Sequence, residues 1–309
     1  MEATPTRRRF GALPVLVAIG IAATAAAQTL TVVRHEPPPP VLLRLNVQEG
    51  LAVSYRMEME MEGRVSAGLF GQPVELTVVM ELDWRVQEVS EDGSASIEVE
   101  TRLIEASSPQ GDMPRSELQE IEGTSTMRLA ADGSVLEGTL GATGSLTSSA
   151  PIPGLEGGFG PTFPPDPVAP GDRWDLSTEV PLLPGGPSLE VVGEASLDTY
   201  EEVGGIRSAV IDSEATVPFD FELDLAELAA ELGEEIPGDQ AQGTIAYEGE
   251  MTMSSRQWID PETGLQVRME GGGEGDIGFS LGGFPQNGDV PAVPRTTVEF
   301  ELTMTLERL

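Results

Sequence analysis

The chain has 309 residues, with 52 Asp and Glu against 17 basic residues, and its formal net charge at pH 7 is −35. A charge this negative repels phosphate backbones and anionic lipid headgroups, which excludes nucleic acid and membrane surfaces as ligands of the folded part. Cysteine is absent, which excludes disulfides, thiol catalysis and cysteine-ligated metals.

All of the basic residues are Arg, because the chain contains no Lys. Two explanations of this bias stay open. One is a GC-rich genome, which favours Arg codons. The other is a surface adapted to salt, where excess carboxylate holds water and dissolved ions screen the repulsion between like charges.

Residues 1–27 have the pattern of an export signal. Three arginines at 7–9 form a basic start, residues 11–23 are apolar, and the alanines at 25–27 form a small-residue cleavage site before Gln28. The sequence therefore predicts an extracytoplasmic protein, located in the periplasm, at the cell surface or in the medium.

The same region is also long enough to remain as an uncleaved membrane anchor that reaches residue 33. About 20 apolar residues cross a hydrocarbon core of roughly 30 Å, and the arginines would stay on the cytoplasmic side. Residues 28–41 then form a Pro-rich, extended spacer. With either fate, contact with the membrane is expected only through this N-terminal segment.

Alternation of apolar and charged residues dominates the rest of the chain, most plainly at 55–62 and 298–306. Period-two alternation predicts strands with one face on a core and the other in water. The first half, 42–138, contains predicted strands at 42–47, 51–62, 74–89, 94–106, 126–129 and 135–137. A Gly/Pro-rich connection covers 139–172, which is either a linker between the halves or a flap over a cavity. The second half, 173–309, contains predicted strands at 188–199, 206–215, 243–253, 257–260, 265–270 and 296–306.

Two short helical segments are predicted, one at 116–121 and a clearer one at 224–233, where apolar residues recur at helical spacing. The two halves also resemble each other, since 86–97 reads like 199–210 and 126–137 reads like 256–270. We therefore predict a mainly β fold. Its duplicated antiparallel units form a curved sheet or half-barrel, or two packed sheets, with one or two short helices.

The residues of most catalytic sites are missing. The single histidine, His35, lies in the spacer, and without Lys or Cys there is no Ser-Lys dyad, Schiff base or zinc site. Residues 273–278 match G-x-G-x-x-G by letter but lack a helix after them, so we interpret them as a glycine-rich loop. We expect no catalytic residues, no metal, no cofactor and no enzymatic activity.

Residues 163–174, together with 200–205 and 258–265, resemble a recurring signature of uncharacterised exported bacterial β-rich proteins. The resemblance implies a β-rich fold and export, and no activity. In architecture alone, the chain is remotely similar to periplasmic lipoprotein and lipid carriers. That similarity implies one curved antiparallel sheet with helices against its concave face.

Methionine recurs on the predicted strands, and its flexible thioether adapts to irregular apolar partners. Our first hypothesis is a non-enzymatic envelope protein that binds an apolar ligand or a lipidated partner in a sheet concavity. Its candidate wall consists of Met57, Met59, Met61, Val78 and Met80, and its candidate cover of Leu225, Leu228 and Leu232. Alternatively, the methionines fill an aromatic-poor core. The protein would then be a membrane-tethered structural or interaction module at the cell surface, with no ligand cavity.

Overall fold

The computed structural model describes residues 39–68, 70–108, 111–112, 123–139, 162–181, 188–224, 243–282 and 295–309, all within the compact unit Pro37–Leu309. These residues form twelve strands and no helix. The strands are β1 (Ala52–Ala67), β2 (Phe70–Val89), β3 (Ala95–Ser108), β4 (Gly111–Asp112), β5 (Gly123–Leu129), β6 (Val135–Thr139), β7 (Arg173–Pro181), β8 (Ser188–Val203), β9 (Ile206–Asp224), β10 (Thr244–Ile259), β11 (Gln266–Gly282) and β12 (Thr296–Arg308).

Eleven of these strands follow one another in a single sheet, in the order β6-β5-β3-β2-β1-β12-β11-β10-β9-β8-β7, and β4 pairs with β3. Every pairing is antiparallel. The sheet is curved and does not close, since β6 and β7 lie at its two edges. The predicted mainly antiparallel β fold is thus confirmed in the form of one extended sheet.

The centre of the sheet is formed by the first and last long strands. β1 and β12 pair from Tyr55 opposite Arg308 to Ala67 opposite Thr296. β1 continues on its other side into β2, and β12 into β11. The strands of the first half therefore lie on one side of β12, and those of the second half lie on the other.

The two faces of the sheet differ in chemistry, as the alternation predicts. On β1, Tyr55, Met57 and Met59 are buried, while Glu58 and Glu60 between them are exposed. The same alternation runs along the other long strands because successive side chains of a strand point to opposite faces. We call these two surfaces the apolar face and the charged face.

One end of the sheet, which we call the base, carries the turns at 90–94, 130–134, 203–206 and 260–264. The opposite end is called the rim. An extended segment at 41–47, called the strap, crosses the apolar face at the base. Its side chains Leu43, Leu45 and Val47 enter the two largest core clusters.

The strap replaces the strand predicted at 42–47, because its backbone binds turns instead of a neighbouring strand. Leu45 N donates to Ala131 O at 2.7 Å, and Asn46 N donates to Thr263 O at 2.8 Å. Val41 forms a single bridge with Val168. Burial alternates along the strap as it would along a strand, which is why the sequence pattern alone could not distinguish the two.

The glycine-rich run at 273–278 is part of β11, so its interpretation as a loop is wrong. It pairs with β10 on one side and β12 on the other. A side chain is not needed for this backbone pairing, and glycine makes room for neighbours. A Cβ on Gly275 would lie 2.7 Å from Cζ of Phe300. The predicted strands 243–253 and 257–260 likewise join into β10 without a break.

The hairpins that look alike in sequence also carry matching irregularities. Register shifts precede the turn in β2–β3, between Val86 and Glu88, and in β8–β9, between Leu197 and Thr199. The β5–β6 and β10–β11 hairpins are shifted just before their turns as well. The halves thus share local geometry as well as sequence pattern.

The predicted helices at 116–121 and 224–233 lie outside the described residues, as do the predicted export signal and most of the spacer. No helix in the described part of the chain has the length and apolar character needed to cross a membrane.

Candidate functional site

The structure brings the five predicted wall residues together on the apolar face of β1 and β2. Met57 faces Met80 across the two strands, and Met59 faces Val78. Met61 is next along β1. Met57, Met59 and Val78 are buried, whereas Met61 and Met80 are only partly buried. The predicted cover residues Leu225, Leu228 and Leu232 lie outside the described residues.

The rim half of the apolar face has two apolar clusters. The methionine cluster comprises Met59, Val78, Leu103, Ala106 and Leu302, with Met61, Leu76, Met80 and Phe300 packed against them. The aromatic cluster comprises Val217, Phe219 and Met251, with Val191, Phe221, Tyr247, Met253, Ile277 and Phe300 packed against them. Phe300 belongs to both, so the clusters form one continuous apolar surface.

The composition of these rim clusters differs from that of the base. Among the described residues, every member of the two rim clusters projects from a strand of the sheet. The base clusters instead include residues from outside the sheet, such as Leu43 and Leu45 of the strap and Phe163 and Val168 of the connection. The centres of the rim clusters are nevertheless as buried as the base, since Val217 and Met251 are 0% exposed. What distinguishes the rim is a margin of partly buried methionine and aromatic side chains around those centres.

Aromatic rings line the rim edge of the aromatic cluster. Phe221, Tyr247 and Phe279 lie opposite one another on β9, β10 and β11. The Phe221 and Tyr247 rings stack with centroids 4.7 Å apart and planes 19° apart. Burial raises the pKa of Tyr247 above its ordinary value. No sequence signal identifies this row, because its members come from three different strands whose register the sequence does not specify.

A polar network interrupts the apolar face where the base meets the rim. Ser213 Oγ and Ser255 Oγ lie 2.8 Å apart. Gln257 Nε2 donates to Ser255 Oγ at 2.9 Å, and Gln266 Nε2 donates to Gln257 Oε1 at 2.9 Å. Both glutamines are buried, at 5% and 7% exposed. These residues could not be predicted as a network, because isolated polar residues on strands are typical of solvent-facing positions.

The charged face carries two shallow clefts. The first, of about 560 Å³, crosses β7 to β11, and Arg256 lies in its wall. Arg256 binds Asp198 at 2.8 Å and Asp212 at 3.1 Å. Its hydrogen bond with Asp198 and the neighbouring carboxylates raise the pKa of Arg256. Its charge is therefore already compensated by the protein's own carboxylates.

Trp258 is buried on this charged face between two guanidinium groups. Arg256 Cζ lies 5.8 Å and Arg268 Cζ 5.1 Å from the centroid of its ring. The indole Nε1 donates to Glu201 Oε2 at 2.8 Å. These contacts connect β8, β10 and β11, so we assign them a structural role.

The second cleft, of about 580 Å³, is dominated by carboxylates from β1, β10, β11 and β12. Glu62 lies opposite Glu301, which lies opposite Glu274 on the next strand. Within the described ranges, no group of three or more acidic or histidine side chains has the arrangement needed to hold a metal ion. The cleft is therefore lined mainly by solvated carboxylates, with Arg64 among them.

No protein-family model and no curated protein matches this chain. Solved structures give weak likenesses. OccK2 (OpdF) of Pseudomonas aeruginosa is 8% identical, over 85% of this chain and 100% of that one, with a TM-score of 0.23. A DUF1329 family protein from Desulfovibrio piger is 12% identical, over 81% and 84%, with a TM-score of 0.14. OpdQ of P. aeruginosa is 9% identical, over 84% and 97%, with a TM-score of 0.19.

TM-scores this low do not establish a common fold. The β-rich architecture implied by the sequence resemblance is present, but no family is assigned.

Proposed function

We propose that this chain is a non-enzymatic envelope protein that binds an apolar, chain-like ligand, either a lipid or the lipid of a modified partner, against the rim half of its apolar face. The observation that carries the proposal is the continuous apolar character of the two rim clusters, in which partly buried side chains such as Met61, Met253 and Tyr247 surround buried ones. At the base, the strap and the connection supply part of the packing.

The chemistry of the rim surface suits an acyl chain. Met61, Met80 and Met253 are partly buried there and have flexible thioether side chains that conform to irregular apolar partners. From Ser213 to Phe221 the surface runs about 26 Å, at about 3.3 Å per strand residue. One leaflet of a hydrocarbon core of about 30 Å is about 15 Å deep, so a membrane-lipid chain fits along it.

The proposed location outside the cytoplasm rests on the predicted export signal at 1–27. The proposed lack of catalysis rests on the residue types that the whole chain lacks, Cys and Lys, and on the position of its one histidine in the spacer. The charged face, with its rows of carboxylates, would keep the protein away from anionic membrane surfaces.

Native mass spectrometry of the protein purified from its own envelope tests the proposal first. We expect a bound adduct of lipid size. The second measurement is a titration with the apolar fluorophore diphenylhexatriene. We expect saturable binding that is weakened about three- to tenfold by Met61→Gln, since an apolar contact is replaced by a buried amide.

The matched control for that variant is Glu60→Gln, which places the same side chain on the same strand but on the charged face. We expect it to bind the fluorophore like the unmodified protein. No adduct, together with no saturable fluorophore binding, would contradict the proposal. Such a result would favour the alternative, a tethered structural module without a ligand cavity.

A further inference from the structure

We propose that the ligand carries an uncharged oxygen acceptor, such as an ester carbonyl, that accepts a hydrogen bond from the Ser213–Ser255 pair. The proposal rests on the proposed function and names the class of lipid bound. A neutral acyl ester fits it, whereas a free fatty acid or an anionic phospholipid headgroup does not.

The hydrogen-bond donor for the ligand is identified by counting the hydroxyl hydrogens in the polar network. Gln257 Nε2 already donates to Ser255 Oγ, and one hydroxyl hydrogen is used between Ser255 and Ser213. Two serine hydroxyls supply two hydrogens, so one remains. In the described part of the chain no further partner accepts it. Whichever serine donates to the other, the pair keeps one O–H for a ligand.

The position of the pair suits the polar end of a chain-like molecule. Ser213 and Ser255 lie opposite each other on β9 and β10, with Gly271 next to Ser255 on β11. On the base side, the buried Gln257 follows; on the rim side, Met253 and then the aromatic cluster follow. A ligand would place its acceptor at the serines and its chain towards the rim.

The distribution of charged residues around the serine pair favours a neutral acceptor over an anionic one. Within the described strands, no arginine occupies an apolar-face position between the serine pair and the rim. Arg256 and Arg268 lie on the charged face and pair with Asp212 and Glu270 there, and Arg207 lies at the base, over the ring of Tyr200. The chain has no lysine and a net charge of −35. An anion placed among the rim clusters would be desolvated without a counter-ion, which is strongly unfavourable.

The test compares three probes on the full exported chain at neutral pH: the methyl ester of cis-parinaric acid, the free acid, and diphenylhexatriene, which has no polar group. The ester and acid share one chain and differ in the head, which is a neutral methyl ester in one and a carboxylate in the other. We expect the ester to bind at least about tenfold more tightly than the ionised acid.

The diagnostic variant is the double substitution S213A/S255A, because either hydroxyl alone can supply the free hydrogen. We expect the ester to bind about three- to tenfold more weakly, in line with one lost hydrogen bond, and diphenylhexatriene to bind unchanged. Ser254→Ala, next to Ser255 but on the charged face, is the control and should change neither. Thermal unfolding checks that each variant is folded.

The outcomes separate the two proposals. If diphenylhexatriene binds, but ester and acid bind equally and the double variant changes neither, the inference about the acceptor is wrong and the apolar site stands. If none of the three probes binds, both proposals are wrong. A double variant that loses ester and diphenylhexatriene binding alike would also overturn the inference, since the serines would then be shaping the site only.

Discussion

Gly264 has a φ of +72° in the turn between β10 and β11, and a Cβ there would overlap the carbonyl oxygen of Arg44 in the strap. Gly204, in the β8–β9 turn, has a φ of +59° and open space around its Cα. At the residue scale, replacing these glycines measures two energetic penalties separately. At Gly204 a side chain meets only the left-handed backbone, whereas at Gly264 it also clashes with the strap.

We expect Gly204→Ala to lower the free energy of unfolding by about 1 kcal/mol, the usual penalty for a side chain in this conformation. Gly264→Ala should lower it by at least about 1 kcal/mol more, because the strap must shift as well. Urea unfolding followed by circular dichroism measures both. Equal losses of unfolding free energy in the two variants would show that the strap does not contact the turn closely enough to oppose a side chain at 264.

Tyr55 gives a second test at the residue scale, through pH. Its side chain is buried and packs edge-on against Trp84, with ring centroids 5.3 Å apart. Burial raises the pKa of Tyr55 well above its usual value, Arg308 opposes the shift, and Asp260 adds to it. In the unfolded chain the phenol ionises near pH 10. Between that pH and the higher pKa of the folded state, the unfolded chain therefore binds fewer protons.

Stability should accordingly be constant through neutral pH and fall above about pH 10, by up to about 1.4 kcal/mol per pH unit for this group. Tyr55→Phe should reduce the loss of stability above about pH 10. Tyr200→Phe should leave most of that loss in place, since Tyr200 is only partly buried. Urea unfolding at a series of alkaline pH values measures the slope. An unchanged slope in Tyr55→Phe would rule out Tyr55 as its source.

At the scale of elements, the strap links two separate core clusters of the sheet. Leu45 and Val47 belong to a cluster with side chains of β1, β2, β3, β5, β11 and β12, and Leu43 belongs to one with side chains of β8, β9 and β10. We expect Leu43→Ala to lower the free energy of unfolding by about 2–5 kcal/mol, the range for truncating a buried leucine.

The control is the neighbouring residue, Leu42, which is 39% exposed. Leu42→Ala should change the free energy of unfolding by less than about 0.5 kcal/mol. Similar losses for the two substitutions would mean that the strap contributes through its backbone bonds alone. Chemical denaturation of both variants under identical conditions distinguishes these cases.

The elements also show what the sequence could and could not predict. Strict alternation predicted β1 and β12, their buried faces, and the proximity of Met57, Met59 and Met61 to β2. Glycine has no side chain and so gives no alternation of apolar and polar residues. The glycine-rich part of β11 was therefore not predicted as a strand. The neighbours of β12 could not be predicted either, since register between strands far apart in sequence depends on packing that local patterns do not encode.

The candidate site was predicted in part for the same reason. Its methionine wall lies on β1 and β2, which are paired and consecutive along the chain, and alternation is enough to place those residues together. The Ser213–Ser255 pair and the ring row depend on the β9–β10–β11 register. Serines on strands also look like solvent-facing residues until the opposite strand is known.

At the scale of the whole molecule, repulsion among carboxylates opposes the fold. Glu301 lies between Glu62 and Glu274 on neighbouring strands, and like charges directly opposite each other are destabilising. Raising sodium chloride from about 0.1 M to about 1 M shortens the screening length from about 10 Å to about 3 Å. We therefore expect the melting temperature to rise over this range.

Glu301→Gln should raise the melting temperature at low salt and reduce its dependence on salt. Glu49→Gln, at an exposed position before β1, removes the same charge away from the row and should have little effect. Differential scanning calorimetry across the salt series measures both. A melting temperature independent of salt would favour the GC-rich genome as the explanation of the Arg bias and argue against adaptation to salt.

The position of β12 governs the order in which the molecule can be completed. Until residues 296–308 have paired, β1 and β11 have no partner on their inner sides, and bare strand edges recruit other chains. A chain truncated before residue 296 would keep eleven of the described strands but leave two incomplete sheets, each with such a bare edge.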